Sequence, residues 1–181
     1  MKKYSLLLFL TCILFSSNAF TAEIDSEEER LFKAAFTYNF AKFTIWPENT
    51  PGNNGPLILC TIGKSKLIND LNRLEGKNIK GRAVAIEKVS SDKSKDHCHI
   101  LYIAKSEKNR VANILKSINR KPILTVSEIS NFIEKGGVIQ FYRKDGKTNL
   151  IINLNTARKS GLEISSRLLI LAEVVNNEET P

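Results

Sequence analysis

Cys98-His99-Ile100-Leu101-Tyr102-Ile103-Ala104 is the stretch on which the fold turns. This short apolar run follows a polar loop (residues 90–96) and reads as a strand at the centre of a sheet. Upstream, Leu57-Ile58-Leu59-Cys60-Thr61-Ile62 is a second run of strand type. Gly63 then turns the chain, and Ser65 starts a helix in which Leu67, Ile68, Leu71 and Leu74 recur at helical spacing until Gly76. Residues 82–89 alternate as a strand, with Ala83, Ala85 and Glu87 on one face and Val84, Ile86 and Lys88 on the other.

Downstream, Val111, Ile114, Leu115 and Ile118 mark a helix that ends before Lys121-Pro122. Residues 123–126 read as another strand, and residues 127–134 as a short helical segment stopped by Gly136-Gly137. Strands over 138–142 and 148–154 flank Asp145-Gly146, a hairpin signal. A short helix or turn (156–161) and a final helix (165–175) follow. Strands alternating with helices predict a single-domain α/β sandwich over residues 23–176. Its sheet is mixed and mostly parallel, with helices on both faces and a C-terminal antiparallel hairpin.

The first residues read as an address. Lys2 and Lys3 precede an apolar run over 6–15, and Ser16-Ser17-Asn18-Ala19 follows. That is the pattern of a secretory signal peptide covering residues 1–19, with cleavage after Ala19 or after Ala22. Cys12 lies inside it, and residues 177–181 read as a frayed tail. The expected location is the periplasm. The formal charge of +8 falls to +6 once Lys2 and Lys3 are removed. The basic residues are scattered rather than clustered, which argues against nucleic-acid binding. Two cysteines remain, Cys60 and Cys98, and in an oxidising compartment such a pair forms a disulfide.

Residues 31–47, LFKAAFTYNFAKFTIWP, form a helix too apolar for one face. Leu31, Ala35, Tyr38 and Ile45 make one stripe, and Phe32, Phe36, Phe40 and Phe43 a second beside it. Lys33, Thr37 and Thr44 mark a narrow polar sector. Acids at Glu27, Glu28 and Glu29 suit its first turn, and Pro47 ends it with Trp46 extended. Such a helix packs into a core or offers one stripe to a partner.

Little points to catalysis. Gly63-Lys64-Ser65 resembles the end of a phosphate loop, but Ile58 stands where that loop needs glycine. His97 and His99 would share a face of a strand and lack a third metal ligand, so they read as exposed histidines at a strand's start. No nucleophile elbow and no carboxylate pair emerges from the strand ends. The expectation is a non-enzymatic protein without cofactor or metal. The candidate partner- or ligand-binding residues are Phe36, Phe40, Phe43, Trp46, Arg82 and Arg167.

Several motifs taken in order resemble the YfiR family of small periplasmic regulators. They are Tyr38-Asn39-Phe40-Ala41-Lys42-Phe43-Thr44-Ile45-Trp46-Pro47, Cys60 with Gly63, Gly81-Arg82, and Cys98-His99-Ile100-Leu101-Tyr102-Ile103. Ile123-Leu124-Thr125-Val126-Ser127-Glu128, Gly136-Gly137-Val138-Ile139 and Ile164-Ser165-Ser166-Arg167-Leu168-Leu169 complete the set. The resemblance implies a compact α/β fold with a Cys60–Cys98 bridge, able to form a homodimer. It also implies repression of an inner-membrane diguanylate cyclase, or another membrane sensor, through its periplasmic region. An outer-membrane OmpA-like lipoprotein would sequester the repressor. Some members carry a second cysteine pair, which this chain lacks. The alternative is a periplasmic module that senses a small molecule near Arg82 or the end of the first helix.

Overall fold

The computed structural model describes residues 26–176. The signal-peptide and tail assignments therefore lie outside the described residues. Helix α1 (Glu27–Phe43) starts at Ser26, whose hydroxyl accepts the Glu29 amide at 3.1 Å, with three acids in its first turn. The chain then extends through β1 (Thr44–Ile45) into a turn-rich loop and β2 (Leu57–Ile62). Ser65 caps α2 (Lys66–Asn72) in the same way, accepting from the Leu67 amide.

A hairpin of β3 (Asn78–Ile79) and β4 (Arg82–Lys88) follows, turning at Lys80 and Gly81, both at positive φ. Next come β5 (Ile100–Ile103), α3 (Val111–Ser117) and β6 (Leu124–Ser127). Then β7 (Ile139–Lys144) and β8 (Lys147–Asn153) pair antiparallel across Asp145-Gly146. The positive φ of both turn residues matches the strand twist, as expected for Asp-Gly. Last are α4 (Leu154–Lys159), β9 (Glu163–Ile164), α5 (Ser166–Leu169) and β10 (Glu173–Val175).

Eight strands form the main sheet in the order β10-β8-β7-β6-β5-β2-β4-β3. Strands β4, β2, β5, β6 and β7 run parallel to one another, while β3 and β8 pair antiparallel at either end of that set, so the sheet is mixed and mostly parallel. β5 is central, as expected, and all four of its residues are buried. On one face, α1, α2, α4 and α5 cover a core built on Leu59, Ile100, Tyr102, Leu124, Val126 and Phe141. On the other, Val111, Ile114 and Leu115 of α3 join Ile62, Leu101, Ile103 and Phe132. Among the described residues, no helix is long and apolar enough to cross a membrane.

Three local expectations are corrected. Residues 127–134 form no helix: Ser127 belongs to β6, and the following turns are held by Gln140, whose Oε1 accepts the amides of Phe132 and Ile133. The final helix is one short turn, α5, after which the chain becomes β10. The open edge of β8 offers a ladder there, and β10 takes it in parallel, with Glu173 opposite Ile151. The hairpin is consequently not the sheet edge. Finally, β5 begins at Ile100, so the alternation read across residues 97–99 does not apply to the two histidines.

Candidate functional site

The orientation of α1 reverses the simple reading of its wheel. Its inward residues are Lys33, Ala34, Thr37, Phe40 and Ala41. Lys33 is only 4% exposed because it pairs with Glu128 and, at 3.0 Å, with Glu29. Tyr102 donates its hydroxyl to the other oxygen of Glu128 at 2.9 Å, and Thr37 donates to the Lys33 carbonyl at 2.8 Å. Lys33 and Thr37 are thus satisfied inside the protein, whereas the buried Thr44 hydroxyl has no hydrogen-bond partner among the described residues.

The apolar stripes point partly outward. Leu31 and Phe32 are each 41% exposed, and Ile45 is 54% exposed. Phe32 lies against Phe36, with ring centroids 4.4 Å apart. Phe36 and Phe43 are half-buried, while Phe40 is fully buried against Phe141 at 5.7 Å. Phe40 therefore belongs to the core. The segment through α5 and β10, which touches α1, adds Ile170, Leu171 and Val174, with Ile170 81% exposed. Arg167 is exposed on α5 itself. Sequence reading missed these aliphatics because it placed them on one continuous helix. The run Val174-Val175, β-branched and so suited to a strand, was the available signal against that helix.

Trp46 and Arg82 meet elsewhere, around His99. Trp46 donates its indole N–H to the His99 carbonyl at 3.2 Å, and its ring stands edge-on to the imidazole. Arg82 donates to the carbonyls of Gly52, Gly55 and Pro56 and to Asn53 Oδ1, and its guanidinium lies 2.8 Å from His99 Nε2. Its guanidinium pins the 52–56 loop to the sheet, and Trp46 and Arg82 also line a cavity of about 150 Å³ at the end of α1. His99, expected on the surface, is fully buried. The tertiary contact with Arg82 and Trp46 explains the difference.

Burial above all, then the Arg82 charge and that of His97, push the His99 pKa down to about 4. The geometry agrees, because Nδ1 faces the Ile58 amide at 3.2 Å and Nε2 faces Arg82, so an imidazolium finds no acceptor. The folded chain then refuses a proton that the unfolded chain takes near pH 6.5. Stability is present in full above pH 6.5 and is lost as the pH falls toward about 4, by about 3 kcal/mol in total. Urea unfolding across that range should show a steeper pH dependence for the natural chain than for His99→Gln. Equal slopes would remove His99 as the cause.

Two further places carry polar groups. A cavity of about 290 Å³ opens between α1 and the carboxyl end of β6, lined by Glu29, Lys33, Glu128, Gln140 and Arg143 among others. Burial favours raising the Glu29 carboxyl, but hydrogen bonds from Thr148 and Lys33 and the charges of Lys33 and Arg143 outweigh it, so its pKa is lowered overall. The turn at Gly63 is filled instead: Ser106 Oγ accepts the Lys64 amide at 2.8 Å. A Cβ on Gly63, whose φ is +92°, would lie 2.5 Å from that oxygen. Side chains occupy the space a phosphate would need.

Cys60 on β2 and Cys98 just before β5 are joined by a disulfide, with Cα atoms 5.7 Å apart. The search of curated proteins finds no match. The model of the family described as YfiR/HmsC-like matches residues 31–173, from the first turns of α1 to the start of β10. On that match, which covers the sheet, both helical layers and the bridge, the chain belongs to the YfiR/HmsC-like family.

Proposed function

We propose that this protein is a periplasmic regulator that binds an inner-membrane signalling protein, a diguanylate cyclase, and represses it without catalysing a reaction. Family membership supports a role in cyclic di-GMP signalling. The observation that carries the docking role is the exposed apolar surface of α1 and the α5–β10 segment, where Phe32, Ile170 and Leu171 stand in solvent. Exposed aromatics and aliphatics of this kind supply the buried centre of protein interfaces. Phe36, which stacks on Phe32, and Phe43 and Arg167 are assigned to the same docking role. A homodimer and sequestration by an OmpA-like lipoprotein belong to the same reading, as does export by the N-terminal signal.

The test combines deletion with Phe32→Ser/Ile170→Ser. Deletion should raise cellular cyclic di-GMP, and the double variant should behave as the deletion. Its unfolding free energy should stay within about 0.5 kcal/mol per site of the natural chain, as for surface positions. Natural protein coupled to a resin should retain a membrane protein with a cytosolic output domain, and the variant should not. Unchanged cyclic di-GMP on deletion, under several growth conditions, would overturn the proposal.

The cavity beside Lys33 favours a second reading, a sensor of a small polar molecule. It lies at the carboxyl end of β6, where open α/β sheets hold ligands. Periplasmic metabolites screened by thermal shift separate the two readings, since a tight ligand raises the melting temperature by mass action.

A further inference from the structure

We propose that Cys60, Cys98, His97 and Glu87 form a four-ligand Zn²⁺ site whenever the Cys60–Cys98 bridge is reduced. Among the described residues, the sulfurs of Cys60 and Cys98 and a ring nitrogen of His97 lie within 4.8 Å of one another. His97 Nε2 stands 4.0 Å from Cys60 Sγ and 3.9 Å from Cys98 Sγ, nearly equidistant from the two. The same nitrogen lies 2.9 Å from Glu87 Oε2.

The fold, not chance side-chain placement, brings these groups together. Cys60 and Glu87 are register partners on the adjacent parallel strands β2 and β4. His97 and Cys98 lead directly into β5, the neighbour of β2 on its other side. Two neighbouring strands and the segment that enters a third therefore present two sulfurs, an imidazole and a carboxylate at one point. Both sulfurs are buried, whereas His97 and Glu87 have side chains 43% and 46% exposed, so an ion reaches the site from their side.

The donor set suits zinc. Zinc takes thiolate at about 2.3 Å and imidazole or carboxylate at about 2.0 Å in a tetrahedron. Those bond lengths put sulfur and nitrogen roughly 3.5 Å apart and the two sulfurs roughly 3.7 Å apart. The present sulfur–nitrogen distances need to close by only a few tenths of an ångström, and cleavage lets the sulfurs separate. The Cα separation of 5.7 Å accommodates either state.

Bridge and metal exclude each other, because disulfide sulfurs carry no thiolate charge. A dithiol reductant transfers two electrons and two protons to the bridge, leaving two thiols here and its own disulfide. Zn²⁺ then displaces both thiol protons to solvent. The same four groups meet in a chain that folds before its cysteines are oxidised. In either case bound zinc withholds the thiolates from reoxidation, so the site holds the reduced form.

The test uses the mature chain, oxidised or reduced with a phosphine, and Zn²⁺ or Co²⁺ as the probe. The reduced chain should bind one Zn²⁺ in competition with a chromophoric chelator, and Co²⁺ should give a sulfur-to-metal charge-transfer band. Zn²⁺ should raise the melting temperature of the reduced chain and leave the oxidised chain unmoved. His97→Ala should weaken zinc binding tenfold or more, and Glu87→Gln by less, with the oxidised forms of both still folded. The proposal is overturned if the reduced chain shows neither band nor zinc-dependent stabilisation, or if His97→Ala binds as the natural chain does. A reduced chain that unfolds and is not refolded by Zn²⁺ overturns it equally.

Discussion

Cys60→Ser should lower the unfolding free energy by about 3–4 kcal/mol. The bridge closes a loop of 38 residues, and opening it returns that loop's conformational freedom to the unfolded chain. Serine also replaces a sulfur that belongs to the apolar cluster of Ile62, Leu101 and Ile103 with a more polar hydroxyl. For a domain of this size, melting should fall by roughly 10 °C. Urea unfolding with a chelator present measures the loss without any contribution from metal. Cys98→Ser should match it, because either change opens the same loop. A loss below about 1 kcal/mol would mean the unfolded chain is already constrained in that region. In the cell, the weaker protein should be cleared faster and fall in abundance.

Lys33→Met should cost about 3–5 kcal/mol, because it strands the buried carboxylate of Glu128. Methionine keeps much of the lysine's length, so the loss reports charge more than volume. Tyr102 still donates to Glu128, but one hydrogen bond does not replace a neutralising ammonium. The second half of the test is the double variant Lys33→Met/Glu128→Gln. It should recover a large part of the loss, since removing both charges removes the desolvation problem along with the attraction. If the double variant is no better than the single one, the loss comes from packing.

Acid should act through the same cluster. The lowered pKa of Glu29 makes its contribution complete above the ordinary glutamate value and progressively lost as the pH falls through it. Lys33→Met should therefore also flatten the stability profile below about pH 4.3, the ordinary glutamate value.

How far the sequence carried depends on the range of the forces involved. Ser26 and Ser65 cap their helices through amides two or three residues away. Asp145-Gly146 turns its hairpin through its own backbone preferences. The apolar runs around β2, β5 and β6 declare buried strands by composition alone. Cys60 and Cys98, expected to pair on the reading of an exported chain without its leader, are bonded. All of these are readable in order along the chain.

The face that α1 turns inward was not readable, because its lysine is neutralised by a glutamate 95 residues away. The candidate docking residues divided for the same kind of reason. Phe40 meets Phe141 and is core, while Phe32, on the same stripe, stacks against Phe36 of its own helix and stays exposed. Trp46 and Arg82 line a small cavity at the end of α1, and their polar groups are engaged with His99 and the loop beside it, contacts that only the fold creates. Ile170 and Val174 carry a helical period locally, yet Ile170 ends α5 and Val174 joins a strand that only the open edge of β8 provides for.

By itself, then, the sequence determined the alternation of strands and helices, their caps and turns, and the cysteine pair, because neighbouring residues settle those choices. The tertiary structure decided which side of α1 is buried, where the last strand lies and what surrounds each histidine. Those outcomes depend on partners distant in the chain, and a polar residue's preference for water yields when the fold supplies its counter-charge or hydrogen bond inside.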